Sequence, residues 1–178
     1  DKNTPVGYAA LTSNTTGTKN TAFGYDALYT NESGTANVAI GFQSLRANTF
    51  GGSNVAIGFA SFYTNTRSYY NTAIGTGSLQ YANRTADSDG YNTALGSYAG
   101  NTGTNNITTG NKNTLLGAST AASAAAGTNQ SVIGYGASGQ ADNSVTLGNA
   151  DVTTVYMSQD AGATIHAAGV TSASNANI

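Results

Sequence analysis

Large apolar residues recur along this chain one position before a glycine, and a small residue usually stands one position earlier. A five-residue word carries the pattern. It reads Asn-Thr-Pro-Val-Gly at 3–7, Asn-Thr-Ala-Phe-Gly at 20–24, Asn-Val-Ala-Ile-Gly at 37–41 and 54–58, Asn-Thr-Ala-Ile-Gly at 71–75, Asn-Thr-Ala-Leu-Gly at 92–96 and Asn-Thr-Leu-Leu-Gly at 113–117. Two degenerate copies end at Gly134 and Gly148. Successive closing glycines lie 17, 17, 17, 17, 21, 21, 17 and 14 residues apart. Such regularity is the signature of a repeat architecture, and the two long periods read as the basic period with four residues inserted.

Each column of the repeat has its own chemistry. Before the glycine stand Val6, Phe23, Ile40, Ile57, Ile74, Leu95, Leu116, Ile133 and Leu147. Two positions earlier comes Thr, Val or Ser, which shares a face with the aliphatic residue in a strand of period two; the alanine between them points the other way. A second apolar column follows each glycine by four residues: Leu11, Leu28, Leu45, Phe62 and Leu79. An aromatic often comes directly after it, as in Tyr8, Tyr25, Phe42, Phe59 and Tyr135. Asn14, Asn31, Asn48 and Asn65 mark one turn, and Gly17 and Gly34 the next.

A period of 17 is too short for a pair of helices. The pattern predicts an all-β chain, a β-solenoid of 14- to 21-residue coils, each with two short strands and two turns. The leading asparagines are expected to form an amide ladder down the stack. The aliphatic column, with its threonines, is expected to line the interior. Two or three large apolar side chains per coil make a thin core against the entropy of ordering Gly-rich turns. Lateral association is therefore expected, with the alanine face against a neighbouring chain; Ile40, Ile57, Ile74, Leu95, Leu116, Ile133 and Leu147 are the predicted packing residues of core and assembly.

Composition narrows the function. Charged residues are 8% of the 178, against roughly 25% in ordinary soluble domains. With no Cys there is no disulfide, thiolate metal site or Cys nucleophile. Six Lys and Arg without a basic run argue against nucleic acid. No apolar stretch reaches the ~18 residues of a membrane span, and no signal peptide is visible. The first residue is Asp1, so the sequence reads as a fragment or a processed piece.

The Asn-Thr/Val-Ala-Ile-Gly word at this spacing resembles the YadA-like head repeats of trimeric autotransporter adhesins, and the repeats of phage tail fibres and related bacterial surface fibres. The resemblance covers about residues 3–148. It implies a homotrimeric left-handed parallel β-roll, outside the cell, on a bacterial surface or a phage tail. Residues 142–157, Asp-Asn-Ser-Val-Thr-Leu-Gly-Asn-Ala-Asp-Val-Thr-Thr-Val-Tyr-Met, resemble the stretch that precedes an endosialidase-type intramolecular chaperone. That implies a β-roll domain over 1–148 and a short β-rich tip or neck over 149–178. Within the second part, 152–157 alternates like a strand and 163–166 is a second strand candidate.

Candidate chemistry is sparse. Asp87 and Asp89 are close in sequence, but a glycosidase needs two carboxyls about 5–10 Å apart across a cleft, and no EF-hand pattern continues from them. They read as a turn with a possible ligand contact rather than as a catalytic pair. His166 is the sole histidine, which supports neither a triad nor a metal site. No catalytic residue, metal or cofactor is assigned. The aromatic residues carry more: Tyr63, Tyr69, Tyr70, Tyr81, Tyr91 and Tyr98 cluster where the periodicity loosens, beside the insertions at 83–91 and 101–112. Tyrosines can stack on sugar rings or anchor a protein interface. With Asp87 and Asp89 they form the predicted ligand-binding set, for a cell-surface glycan or surface protein. The expected function is a non-enzymatic trimeric attachment module. A structural spacer, a polysaccharide depolymerase and an ice-binding solenoid are the alternatives.

Overall fold

The computed structural model describes residues 2–84 and 87–156. Among them there is no helix, and eleven short strands form: β1 (Thr4–Val6), β2 (Thr21–Phe23), β3 (Val38–Ile40), β4 (Val55–Ile57), β5 (Ser68–Tyr69), β6 (Thr72–Ile74), β7 (Ser88–Asp89), β8 (Thr93–Leu95), β9 (Thr114–Leu116), β10 (Gln130–Ile133) and β11 (Ser144–Leu147). Nine of them build one parallel sheet in the order β1-β2-β3-β4-β6-β8-β9-β10-β11, and β5 and β7 pair separately. Register is set by the repeat word: Val38 lies beside Val55, Ala39 beside Ala56, Ile40 beside Ile57. Each period is one coil of a β-solenoid.

The glycine closing each word has a double requirement. At Gly41 φ is +128, and a Cβ there would sit 2.6 Å from the carbonyl oxygen of Gly58 on the next coil. Only glycine meets both conditions. The segment after it is not the second β-strand that the repeat predicts. Residues two and four places on, such as Asp26 (φ 55) and Leu28 (φ 52), are left-handed, so the backbone bends into an arc. The alternation points successive amides at opposite neighbours: Asp26 N–H bonds the carbonyl of Tyr8 on the preceding coil, and Leu28 N–H that of Ser44 on the following one. Left-handed residues other than glycine cost roughly 1–2 kcal/mol each. Burial of the leucine column offsets this, at roughly 1.5–3 kcal/mol per fully buried large side chain.

The interior faces opposite to the expected direction. Ala22, Ala39, Ala56, Ala73 and Ala94 are fully buried, whereas Val6, Phe23, Ile40, Leu95, Leu116, Ile133 and Leu147 are exposed and Ile57 and Ile74 half-buried. The reason is width. Leu28, Leu45, Phe62 and Leu79 project inward from the arc, and a coil of 17 residues leaves only an alanine's depth between them and the strand. Later coils exchange these volumes. Where the arc position shrinks to Gly100 and Ala121, the strand position grows to Leu115 and Val132, both buried. The insertion at 101–112 contributes to the same end: Ile107 is fully buried beside the place where Gly100 lacks a side chain.

Two asparagine ladders run through the stack, the leading one as expected. The amide oxygen of each leading asparagine accepts from the backbone N–H of the next, from Asn3–Asn20 through Asn113–Gln130. A shorter ladder joins Asn14, Asn31, Asn48 and Asn65 side chain to side chain at 2.7–2.8 Å. Beyond Leu147 residues 152–156 form no strand, contrary to the alternation of the sequence, and Val152, Val155 and Tyr156 are exposed; alternation makes a strand only where a neighbour completes its hydrogen bonds. Met157, His166 and the candidate strand at 163–166 lie outside the described residues.

Candidate functional site

The nine-stranded sheet presents two outward columns. One is aliphatic, running from Val6 to Leu147 and including Ile40, Ile57, Ile74, Leu95, Leu116 and Ile133. The other is Thr4, Thr21, Val38, Val55, Thr72, Thr93, Thr114, Ser131 and Val145, in register with it. The threonines were expected to be inward; they face out because they share a face with the aliphatic column, and that column is outside. Neighbouring rungs of such an array lie ~4.8 Å apart. Together the columns leave a continuous, largely apolar stripe exposed along the sheet.

A second surface is built on the arcs. The residue after each glycine places Tyr8, Tyr25, Phe42 and Phe59 in one column, with ring centroids 5.0, 5.1 and 5.3 Å apart and interplanar angles of 14°, 9° and 5°. The rings are open to solvent. The residue five places after the glycine forms a parallel column, in which the Arg46 guanidinium lies 4.9 Å from the Tyr29 ring centroid and 5.9 Å from that of Tyr63. Arg46 Nε donates to Asp26 Oδ2 at 3.2 Å. That bond to the carboxylate raises the Arg46 pKa above its ordinary value. Asp26 comes from the left-handed position two residues after Gly24, which turns it toward the arginine.

Structure divides the predicted ligand set. Tyr70 and Tyr91 stack at 5.2 Å and 6°, Tyr69 lies 6.3 Å from Tyr70, and Asp89 is paired with Tyr69 across β5 and β7. The Tyr91 hydroxyl, hydrogen-bonded to Asp89, is pushed up from its ordinary pKa. Tyr69 donates to the Phe50 carbonyl at 3.1 Å, and its partial burial raises its pKa. Asp87 is held by Arg67 at 3.1 Å, with Arg67 4.3 Å over the Phe50 ring. Five of the eight residues thus meet on one edge. Tyr63, Tyr81 and Tyr98 stand on the arcs instead, Tyr63 beside Arg46 and Tyr98 with its ring over Gly77.

Sequence reasoning passed over Tyr29, Asp26 and Arg46. The signal was present: Thr12, Tyr29, Arg46 and Tyr63 share one column, but their proximity becomes visible only once coils stack at strand spacing. Among the described residues no three His, Cys, Asp or Glu side chains are grouped to hold a metal ion. No helix among them is long and apolar enough to cross a membrane. Set against known protein families and curated proteins, the chain matches none.

Proposed function

We propose that this chain is a non-enzymatic module of a homotrimeric surface fibre, a left-handed parallel β-roll in which three copies pack around one axis, outside the cell on a bacterium or a phage tail, serving attachment to a cell surface through glycans. The observation that carries the assembly is the exposed aliphatic column from Val6 to Leu147. Seven of its nine residues retain 36–56% of their surface and Ile57 and Ile74 less, so covering the column is worth on the order of 10 kcal/mol per chain before the costs of association. The resemblance of the repeat word to fibre heads supplies the number three and the hand. Threefold symmetry then multiplies a weak glycan contact into avidity without new contacts.

Light scattering tests the assembly. Three times 17.8 kDa, about 53 kDa, is expected; a 17.8 kDa particle refutes it. Ile57→Asp should leave the coil folded, because Ile57 points out of it, and should abolish the trimer by placing a charge in a dry contact.

One observation favours a second reading. The outward column that holds Thr4, Thr21, Thr72, Thr93 and Thr114, with Val38 and Val55 between them, is in register on a regular sheet and so can meet ice, and the inward orientation that argued against it does not hold. That reading requires the face to be free. A monomer with thermal hysteresis that Thr72→Leu abolishes would replace the fibre reading; a trimer without hysteresis excludes the ice reading.

A further inference from the structure

The arc surface carries more chemistry than the sheet face. Tyr8, Thr12, Tyr25, Asp26, Tyr29 and Arg46, from three successive coils, line an open groove of about 490 Å³. That is within the size range of small-ligand sites. We infer that this groove is a saccharide subsite selective for neutral sugars, a deepening that rests on the attachment reading above.

Three features point to that ligand. Tyr8 is 73% exposed, and the face it turns away from Tyr25 is open to the C–H side of a pyranose, while Tyr25, stacked between Tyr8 and Phe42, lines the groove with its edge. Beside them the Asp26 carboxylate and the Arg46 guanidinium supply an acceptor and donors for hydroxyl groups, and charge-assisted bonds of this kind are stronger than neutral ones. The pair is already assembled: the Asp26 side chain is only 10% exposed, and Arg46 is braced over Tyr29.

The same pair decides the class of sugar. Arg46 and Asp26 neutralise each other, so the groove offers no net charge. An acidic sugar would have to compete with Asp26 for the guanidinium while facing its carboxylate. An extended peptide has no free edge to join, because the arc amides are paired coil to coil, Asp26 N–H to the Tyr8 carbonyl and Gln43 N–H to that of Tyr25. The groove presents side chains alone, which suits a ring that stacks rather than a strand that pairs.

The test uses the whole chain, saturation-transfer NMR titrations with cellohexaose, maltohexaose and lacto-N-tetraose as neutral probes, and 3′-sialyllactose as the acidic probe. At least one neutral probe should bind, and sialyllactose at least tenfold more weakly. Tyr8→Ala with Tyr25→Ala should weaken the neutral probe tenfold or more, and Tyr70→Ala with Tyr91→Ala should leave it unchanged. Asp26→Asn should weaken the neutral probe and strengthen sialyllactose, since it leaves Arg46 unbalanced. Tyr8 is 73% exposed, so Tyr8→Ala alone decides if the double variant is poorly folded. Binding lost at Tyr70 and Tyr91 but kept at Tyr8 and Tyr25 overturns this groove and spares the attachment reading. A trimer by light scattering that binds sialyllactose but no neutral probe overturns the groove and spares attachment; a trimer that binds none of the four probes overturns both and leaves a structural spacer.

Discussion

Replacing Asn54 probes the leading asparagine ladder at its centre. Its side chain is fully buried and makes contacts in both directions along the stack. Its Nδ2 donates to the Ser68 carbonyl at 2.8 Å and to Asn37 Oδ1 at 3.2 Å. Its Oδ1 accepts from Asn71 N–H at 3.0 Å and from Asn71 Nδ2 at 3.1 Å. In Asn54→Ala the Asn71 N–H loses its acceptor in the interior, while Asn71 Nδ2 keeps Ser68 Oγ and the Tyr69 carbonyl. The Ser68 carbonyl is left with only a long bond from Asn65. A buried group left unsatisfied costs roughly 1–3 kcal/mol, so one full and one partial loss, with the space vacated, come to about 3–5 kcal/mol. That is a large share of an ordinary domain's stability of about 5–15 kcal/mol. Asn54→Asp keeps shape and acceptor but sets a carboxylate oxygen against Asn37 Oδ1 and the Ser68 carbonyl, acceptor against acceptor. It should be worse than alanine at neutral pH. Its deficit should shrink as pH falls, because protonation restores a donor; a buried carboxyl facing acceptors has a raised folded pKa. The assay is urea unfolding followed by far-UV circular dichroism at fixed chain concentration, with hydrogen exchange at the Asn71 amide. A loss below about 1 kcal/mol in Asn54→Ala, with the Asn71 amide still protected, would refute the ladder's role.

Two further substitutions test other parts of the coil. Gly41→Ala forces a Cβ to 2.6 Å from the Gly58 carbonyl oxygen at φ +128 and should cost at least about 2–4 kcal/mol in the same unfolding assay; a neutral result would mean that the coils are spaced more widely than described. Asp142 accepts from Thr128 N–H at 2.7 Å and from Gln130 Nε2 at 3.0 Å, bonds that hold its pKa below the ordinary carboxylate value. With the folded pKa depressed, its contribution is complete above about pH 4 and is lost as pH falls through the folded value. Thermal melts of wild type and Asp142→Asn should therefore differ at neutral pH and converge in strong acid; parallel melting curves at every pH would show that Asp142 contributes nothing through its charge.

The sequence by itself determined the repeat, the coil boundaries, the register and the leading amide ladder. It could do so because a parallel stack puts each residue above its equivalent one period away, so columns in the sequence are columns in space. The glycine before each arc was equally legible, since a close backbone approach and a positive φ both demand it. Alternation also showed that Ile57 and Thr72 face opposite to Ala56 and Ala73. It could not show which of those faces is inside. That depended on the arc, where left-handed residues turn Leu28, Leu45 and Phe62 into the coil and leave room for nothing larger than alanine across from them. Propensity does not foresee leucine at φ 52, because only burial within the finished coil makes that conformation tolerable. The meeting of Asp26, Tyr29 and Arg46 was hidden for a related reason: residues up to 20 positions apart become neighbours only when the coils stack, and only the left-handed bend at Asp26 aims its carboxylate at the arginine.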